Sequence, residues 1–249
     1  MPWFSRYVEL SLPRLWMSEL VYFGNKTPIV GGTSLLRVAV VAAARRNQQP
    51  LISWGAILLK ALALTSERYP ELKRCYMPLP WGHFYEHPHC VATLAVERSW
   101  RGEPAVFFHQ IGASEQKSLR EIDRGLRWLK EAPVEAVGSF RRLIRLARCP
   151  PPIRWLIWRL ALYGSGRLRS RYVGTFLLNS IPTRRGTTTQ SMTTLATSFF
   201  YGAVGPNGDM PIQMFWDHRV MDGARAARLV VQLNAILCRE IVAELNAGG

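Results

Sequence analysis

The chain has 249 residues, a formal net charge of +15, 48% hydrophobic residues and 20% charged residues. That composition excludes a disordered or fibrous chain and suits one large domain or two small ones. The basic excess leaves nucleic acid, an anionic lipid surface or an anionic small molecule as partner classes.

In chain order, the N-terminus MPWFSRYVELSLPRL lacks the basic and apolar regions of a signal peptide. Residues 34–45, SLLRVAVVAAAR, begin as a strand and run into alanines, and Pro50 closes the element. Ser53 is placed to cap a helix through WGAILLKALALTSERYPEL, which ends at Pro70. Residues 89–100 and 105–111 alternate as two strands around an RGEP turn, a hairpin. Ser114 or Ser118 caps the next helix, which stops at Pro133. Strands are expected over 171–181, 191–204 and 210–220, the last two joined by the turn GPNGD, followed by a helix from Gly223. Mixed strands and helices with C-terminal hairpins predict an α+β fold.

The four cysteines, Cys75, Cys90, Cys149 and Cys238, are scattered without CxxC pairs. Their pattern points to a reducing cytoplasm rather than a disulfide scaffold. No stretch reaches the roughly 18–20 apolar residues of a membrane span. His83, His87, His89 and Cys90 fall within WGHFYEHPHC, residues 81–90, yet their spacing matches no zinc finger or zincin, so no metal is expected.

The chemistry concentrates in DHRVMDG, where His218 ends a strand and Asp222 precedes a helix. A lone histidine there is ordinarily satisfied by backbone; a general base needs a neutral imidazole held in one tautomer beside a cavity. The string DHRVMDGARAARLVVQL resembles the DHRxxDGAxAARFL segment of the E2 catalytic domain of 2-oxo acid dehydrogenase complexes. Its HxxxDG core resembles the signature of the CoA-dependent acyltransferases, shared with chloramphenicol acetyltransferase and condensation domains. LLKALALTSERYPELK, VATLAVERSWRGEPAVFFHQI, QKSLREI and GTFLLNSI resemble further segments of the E2 domain in the same order.

The resemblance implies a single E2-like catalytic domain over residues 1–249, with a chloramphenicol acetyltransferase-like mixed sheet flanked by helices. It also implies a homotrimer with active sites at subunit interfaces. His218 then takes a proton from a hydroxyl, amine or thiol acceptor, which attacks the thioester of acyl-CoA or of an acyl carrier protein. Acyl-CoA is a cosubstrate and no cofactor stays bound. A hydroxyl donor stabilises the oxyanion in the family; here the matching position is Asn179, with Ser180 next to it, and adjacent strand residues face opposite ways. Asp222 is expected to brace the loop through an arginine, with Arg14 one candidate.

No lipoyl-lysine segment or Ala/Pro linker precedes these motifs, so the expectation is a stand-alone acyltransferase. The alternative is a non-catalytic E2-like scaffold associated with lipid surfaces.

Residues 141–171 are an excess over the E2 pattern. Arg141, Arg142, Arg145 and Arg148 fall at helical spacing, CPPP interrupts, and IRWLIWRLALYG resumes with Trp155 and Trp158. Three roles follow: packing on the sheet with the arginines solvated, lying on an anionic membrane as a peripheral anchor, or covering an apolar substrate. Nucleic acid is not expected, because these tryptophans sit in apolar runs rather than an open charged groove.

Overall fold

The computed structural model describes residues 9–180 and 193–248. Ser11 caps α1 (Leu12–Gly24), its hydroxyl accepting from the Arg14 N–H, and Pro13 occupies the first turn where a missing N–H costs nothing. β1 (Ile29–Arg37) follows, then α2 (Ala39–Arg46) and α3 (Trp54–Arg68), which starts at Ser53 as the sequence predicts. α3 is apolar on nearly every side, and Ile57, Leu58, Leu59, Ala61, Leu62 and Ala63 are all fully buried. Such a helix belongs at the centre of a core.

β2 (Arg74–Met77) and β3 (His83–Glu86) form a separate two-stranded hairpin. β4 (Val91–Trp100) and β5 (Glu103–Gly112) form the expected hairpin, and α4 (Leu119–Glu131) begins at Ser118 rather than Ser114. A reciprocal capping box decides between the two serines. Ser118 accepts from the Glu121 N–H, and the Glu121 carboxylate accepts from the Ser118 N–H at 2.8 Å.

The 141–171 region contains α5 (Gly138–Arg148), α6 (Pro151–Arg159), a π-helical turn (Leu160–Gly164) and α7 (Gly166–Tyr172). Here the structure corrects an expectation: the strand placed at 171–181 begins only at Phe176. Its first residues end α7 and make a turn at Gly174, whose φ of +100° suits glycine. β6 (Phe176–Ser180), β7 (Thr197–Tyr201) and β8 (Asp209–Asp217) follow. β7 is shorter than the predicted 191–204, whose first two residues lie outside the described ones, as does Ile181. α8 (Gly223–Ile236), a π-helical turn and α9 (Val242–Asn246) close the chain.

The main sheet has the order β1-β8-β7-β6-β4-β5. β6 runs parallel to both neighbours, β4 and β7, and the other pairs are antiparallel. Strand alternation sorts the side chains onto two faces. Phe107, Phe176, Leu178, Phe199, Ile212, Met214 and Trp216 face the core beside α3, while Phe108, Leu177, Ser198, Gln213 and Phe215 face the other way.

One buried acid ties α4 to the start of α3. The Asp123 carboxylate accepts from the Ser53 N–H at 2.8 Å and from Arg127 Nε at 2.7 Å. Burial by itself would raise its pKa, but the hydrogen bonds from Ser53 and Arg127 outweigh this and hold it below the usual aspartate value. A depressed folded pKa contributes stability above the unfolded value of about 3.9, lost as pH falls through the folded one. Asp123→Asn should therefore lower Tm at neutral pH and flatten the acid limb of the Tm-versus-pH curve.

Candidate active site

His218 comes immediately after β8, and the backbone around it is held from three sides. Its N–H donates to the Pro28 carbonyl at 3.0 Å, just before β1. Val220 and Met221 donate back to the Asp217 carbonyl, closing a turn, and Met221 is buried. The Asp217 carboxylate, itself buried, accepts from Arg219 Nε at 2.9 Å and Nη2 at 2.7 Å. That hydrogen-bonded pairing raises the Arg219 pKa, and the guanidinium lies 4.2 Å from the Tyr76 ring centroid on β2. With the Asp217 carboxylate turned inward, the His218 side chain points out, 54% exposed.

Asp222 stands 3.7 Å from His218 Nδ1, beyond hydrogen-bond length, and occupies the N-cap position of α8. Among the described residues it has no arginine partner; Arg14 instead lies 3.9 Å from Glu103. The brace expected from an arginine on Asp222 is supplied next door by the Asp217–Arg219 pair. An acid and an arginine flanking the histidine in DHR were the signal for it.

Asn179 and Ser180 occupy adjacent, opposed positions on β6. Asn179 shares a face with Leu177, away from the core, and its Oδ1 accepts the Ser180 N–H at 2.9 Å. The amide NH2 of Asn179 has no partner among the described residues, leaving two donors on that face. Ser180 pairs with Tyr201 on β7, whose hydroxyl is pushed up in pKa by burial and partly brought back by the Ser180 side chain.

One chain does not bring Asn179 and His218 together. Asn179 lies opposite Phe200, and Phe200 opposite Gln213. His218 is five residues beyond Gln213, roughly 16 Å further along the strand direction.

The face carrying Asn179 is also where the 141–171 region packs. α5 to α7 roof a cavity of about 590 Å³ over Thr93, Phe108, Gln110 and Leu177. Two buried arginines anchor the roof. Arg154 on α6 pairs with the buried Glu19 of α1, and Arg169 on α7 donates to the Tyr76 carbonyl at 2.9 Å and the Thr194 carbonyl at 2.6 Å. Arg169 thus contacts the same β2 residue on which Arg219 stacks.

The histidine-rich stretch at 81–90 does not converge. His89 Nδ1 and Cys90 Sγ meet the two oxygens of Glu115, while His83 turns to the Trp81 carbonyl. No group of three or more His, Cys, Asp or Glu among the described residues is placed to hold a metal. Burial and the Glu115 carboxylate push the Cys90 thiol well up, which disfavours the thiolate.

No protein-family model and no curated protein matches the chain. Solved structures do match. A dihydrolipoamide acetyltransferase from Azotobacter vinelandii aligns with a TM-score of 0.68 at 18% identity, over 94% of this chain and 93% of that one. That protein was studied for the roles of a serine, a histidine and an asparagine in its catalytic mechanism. The truncated catalytic core of the 2-oxoacid dehydrogenase multienzyme complex from Thermoplasma acidophilum aligns at 0.66 and 14% identity, covering 94% and 98%. A chloramphenicol acetyltransferase aligns at 0.53 and 15% identity, covering 92% and 98%.

The chain therefore has the fold of the CoA-dependent acyltransferases. Within that class its structural neighbours are the E2 catalytic cores of 2-oxoacid dehydrogenase complexes and chloramphenicol acetyltransferase, matched over nearly the whole chain.

Proposed function

We propose that this protein is an acyltransferase that moves an acyl group from the thioester of CoA or a carrier protein to a hydroxyl, amine or thiol. The observation that carries the reading is the outward imidazole of His218 on a turn locked by Pro28 and the Asp217–Arg219 pair. In the proposed reaction the neutral ring carries its proton on Nδ1, the nitrogen 3.7 Å from Asp222, and Nε2 accepts one from outside.

In the reaction Nε2 takes the acceptor proton as the acceptor atom bonds to the thioester carbon. The carbonyl electrons move onto oxygen, and the free NH2 of Asn179 donates to that oxyanion. The oxyanion then collapses, the carbon–sulfur bond breaks, and the imidazolium returns its proton to the leaving thiolate.

Because His218 and Asn179 are far apart in one chain, the complete site requires His218 of one copy beside Asn179 of the next. A homotrimer is the assembly that the E2-like fold suggests for this. The region 141–171 adds an acceptor- or acyl-binding surface, and contact with an anionic membrane is a further partner for its arginines. No helix among the described residues is long and apolar enough to cross a membrane.

The test is thiol release from a panel of acyl-CoA donors in the presence of candidate acceptors. Asn179→Ala should lower kcat about 10²–10³-fold, the typical cost of one oxyanion donor, with little change in KM. Full activity in that variant would remove Asn179 from the chemistry. Absence of turnover with every donor and acceptor in the wild type would favour a non-catalytic E2-like module.

A further inference from the structure

The cavity under α5 to α7 has the features of a binding site in its own right. Its volume of about 590 Å³ falls within the usual range for small-molecule sites, roughly 300–1,000 Å³. Its walls are mainly aliphatic and aromatic: Leu20, Phe108, Leu143, Leu146, Trp158 and Leu177 surround it. Thr93, Gln110, Ser139, Thr193 and Thr194 add neutral polar groups to the lining, and the charged groups lie at the edge. Arg142 and Arg145, both exposed on α5, belong to the lining, and neither has an acidic partner among the described residues.

The apolar wall continues to the surface. Ile157 and Leu160 line the cavity yet are 39% and 52% exposed, and Ile153 and Leu156 extend the same stripe along α6. An aliphatic chain has a continuous apolar path from outside to inside. The roof near Leu160 is a π-helical turn, a distortion that favours local function over helix stability.

We propose that this cavity binds the aliphatic chain of an anionic amphiphile, with the chain among Phe108, Leu146, Trp158 and Leu177 and the head group at Arg142 and Arg145. A fatty acid carboxylate and the phosphates of a fatty acyl-CoA share this chemistry. On the acyl-transfer reading, which this consequence rests on, the protein handles long-chain rather than acetyl groups.

Calorimetric titration of the full-length His218→Ala variant, which leaves thioesters intact, tests the proposal with dodecanoate, dodecanoyl-CoA and acetyl-CoA. Binding of at least one dodecyl ligand is expected, tighter than acetyl-CoA. Dodecanoate binding assigns the head to a carboxylate, and binding of dodecanoyl-CoA alone assigns it to CoA. Ala161→Trp, which fills the cavity from its roof, should weaken dodecyl binding roughly tenfold or more and leave acetyl-CoA unchanged. Leu143→Trp fills it from α5 and guards against a folding defect in the first variant.

Failure of both dodecyl ligands to bind overturns the proposal, as it would if a second copy of the chain fills the cavity. Dodecyl binding unaffected by both tryptophans overturns it equally. The proposed reaction fails separately: His218-dependent acetyl transfer without dodecyl binding removes the cavity ligand and keeps the enzyme. Dodecyl binding without transfer of any acyl group does the reverse.

Discussion

His218→Ala should lower kcat/KM about 10²–10⁴-fold, the range for loss of a positioned general base, while Tm stays within the scatter of an ordinary surface substitution. The two halves of that expectation have separate structural grounds. The imidazole is half exposed and has no short hydrogen bond, and the backbone contact with Pro28 involves only the N–H, which alanine keeps. Exposed substitutions of this kind change stability by about 0.5 kcal/mol or less.

A mixing experiment adds a sharper readout. His218→Ala and Asn179→Ala chains are each expected to be nearly inactive. Refolded together they should regain part of the activity, because some interfaces pair an intact His218 with an intact Asn179. Mixtures no more active than their components would mean that the two residues do not share a site across chains. Turnover by His218→Ala equal to wild type would remove the base from the mechanism altogether.

What the sequence made legible follows the range of the interactions involved. α3 and α4 were readable because their start signals are local: Ser53 and Ser118 bond groups three residues away. His218 and Asp222 were readable for the same reason, four residues apart on one turn. The supports of the site were not. Arg169 reaches Tyr76 across 93 residues, and Arg219 lies over that same ring.

The strand order was equally hidden, since inserting β6 in parallel between β4 and β7 leaves no local mark. The last two residues of α7, Arg171 and Tyr172, were misread as strand because RYVGTF has strand propensity, while what fixes Gly166–Tyr172 as a helix is tertiary. A Cβ on Gly166 would lie 2.1 Å from the Tyr85 ring of β3, so only glycine lets α7 approach that hairpin. Between Asn179 and Ser180 the choice of face needed the register: Ser180 opposite Tyr201 puts its neighbour on the cavity side.

The 141–171 region shows how far periodicity carries. On α5 the pattern holds, with Phe140, Ile144 and Ala147 inward and Arg141, Arg145 and Arg148 outward. On α6 it inverts: Arg154 is 6% exposed while Ile153 and Leu156 are more than half exposed. The cause is a single acid. Glu19, facing inward from α1, demands a cation, and Arg154 meets it through Nε while its Nη1 donates to the Cys149 carbonyl at 2.8 Å. Trp158 Nε1 donates to the other Glu19 oxygen at 2.9 Å. Both carboxylate oxygens are therefore satisfied.

Arg154→Met should accordingly destabilise the protein by about 3–5 kcal/mol, the cost of leaving one member of a buried ion pair alone. The methionine keeps much of the apolar stem, so the loss measures the abandoned Glu19 charge rather than a cavity. Urea denaturation of the pair of variants separates this from simple packing. Glu19→Gln with Arg154→Met removes both charges and should recover most of the stability, because a neutral amide still accepts from Trp158. A double variant as unstable as Arg154→Met would show that the arginine acts through its contacts with α5 and not through the acid.

The expected local consequence is loosening of α6 against α1, read as faster amide exchange over 151–164 than over the sheet. Since Ile157, Trp158, Leu160 and Ala161 all lie on this segment and line the cavity, the same substitution should weaken dodecyl binding while leaving the His218 turn, anchored through Pro28 and Asp217, protected from exchange.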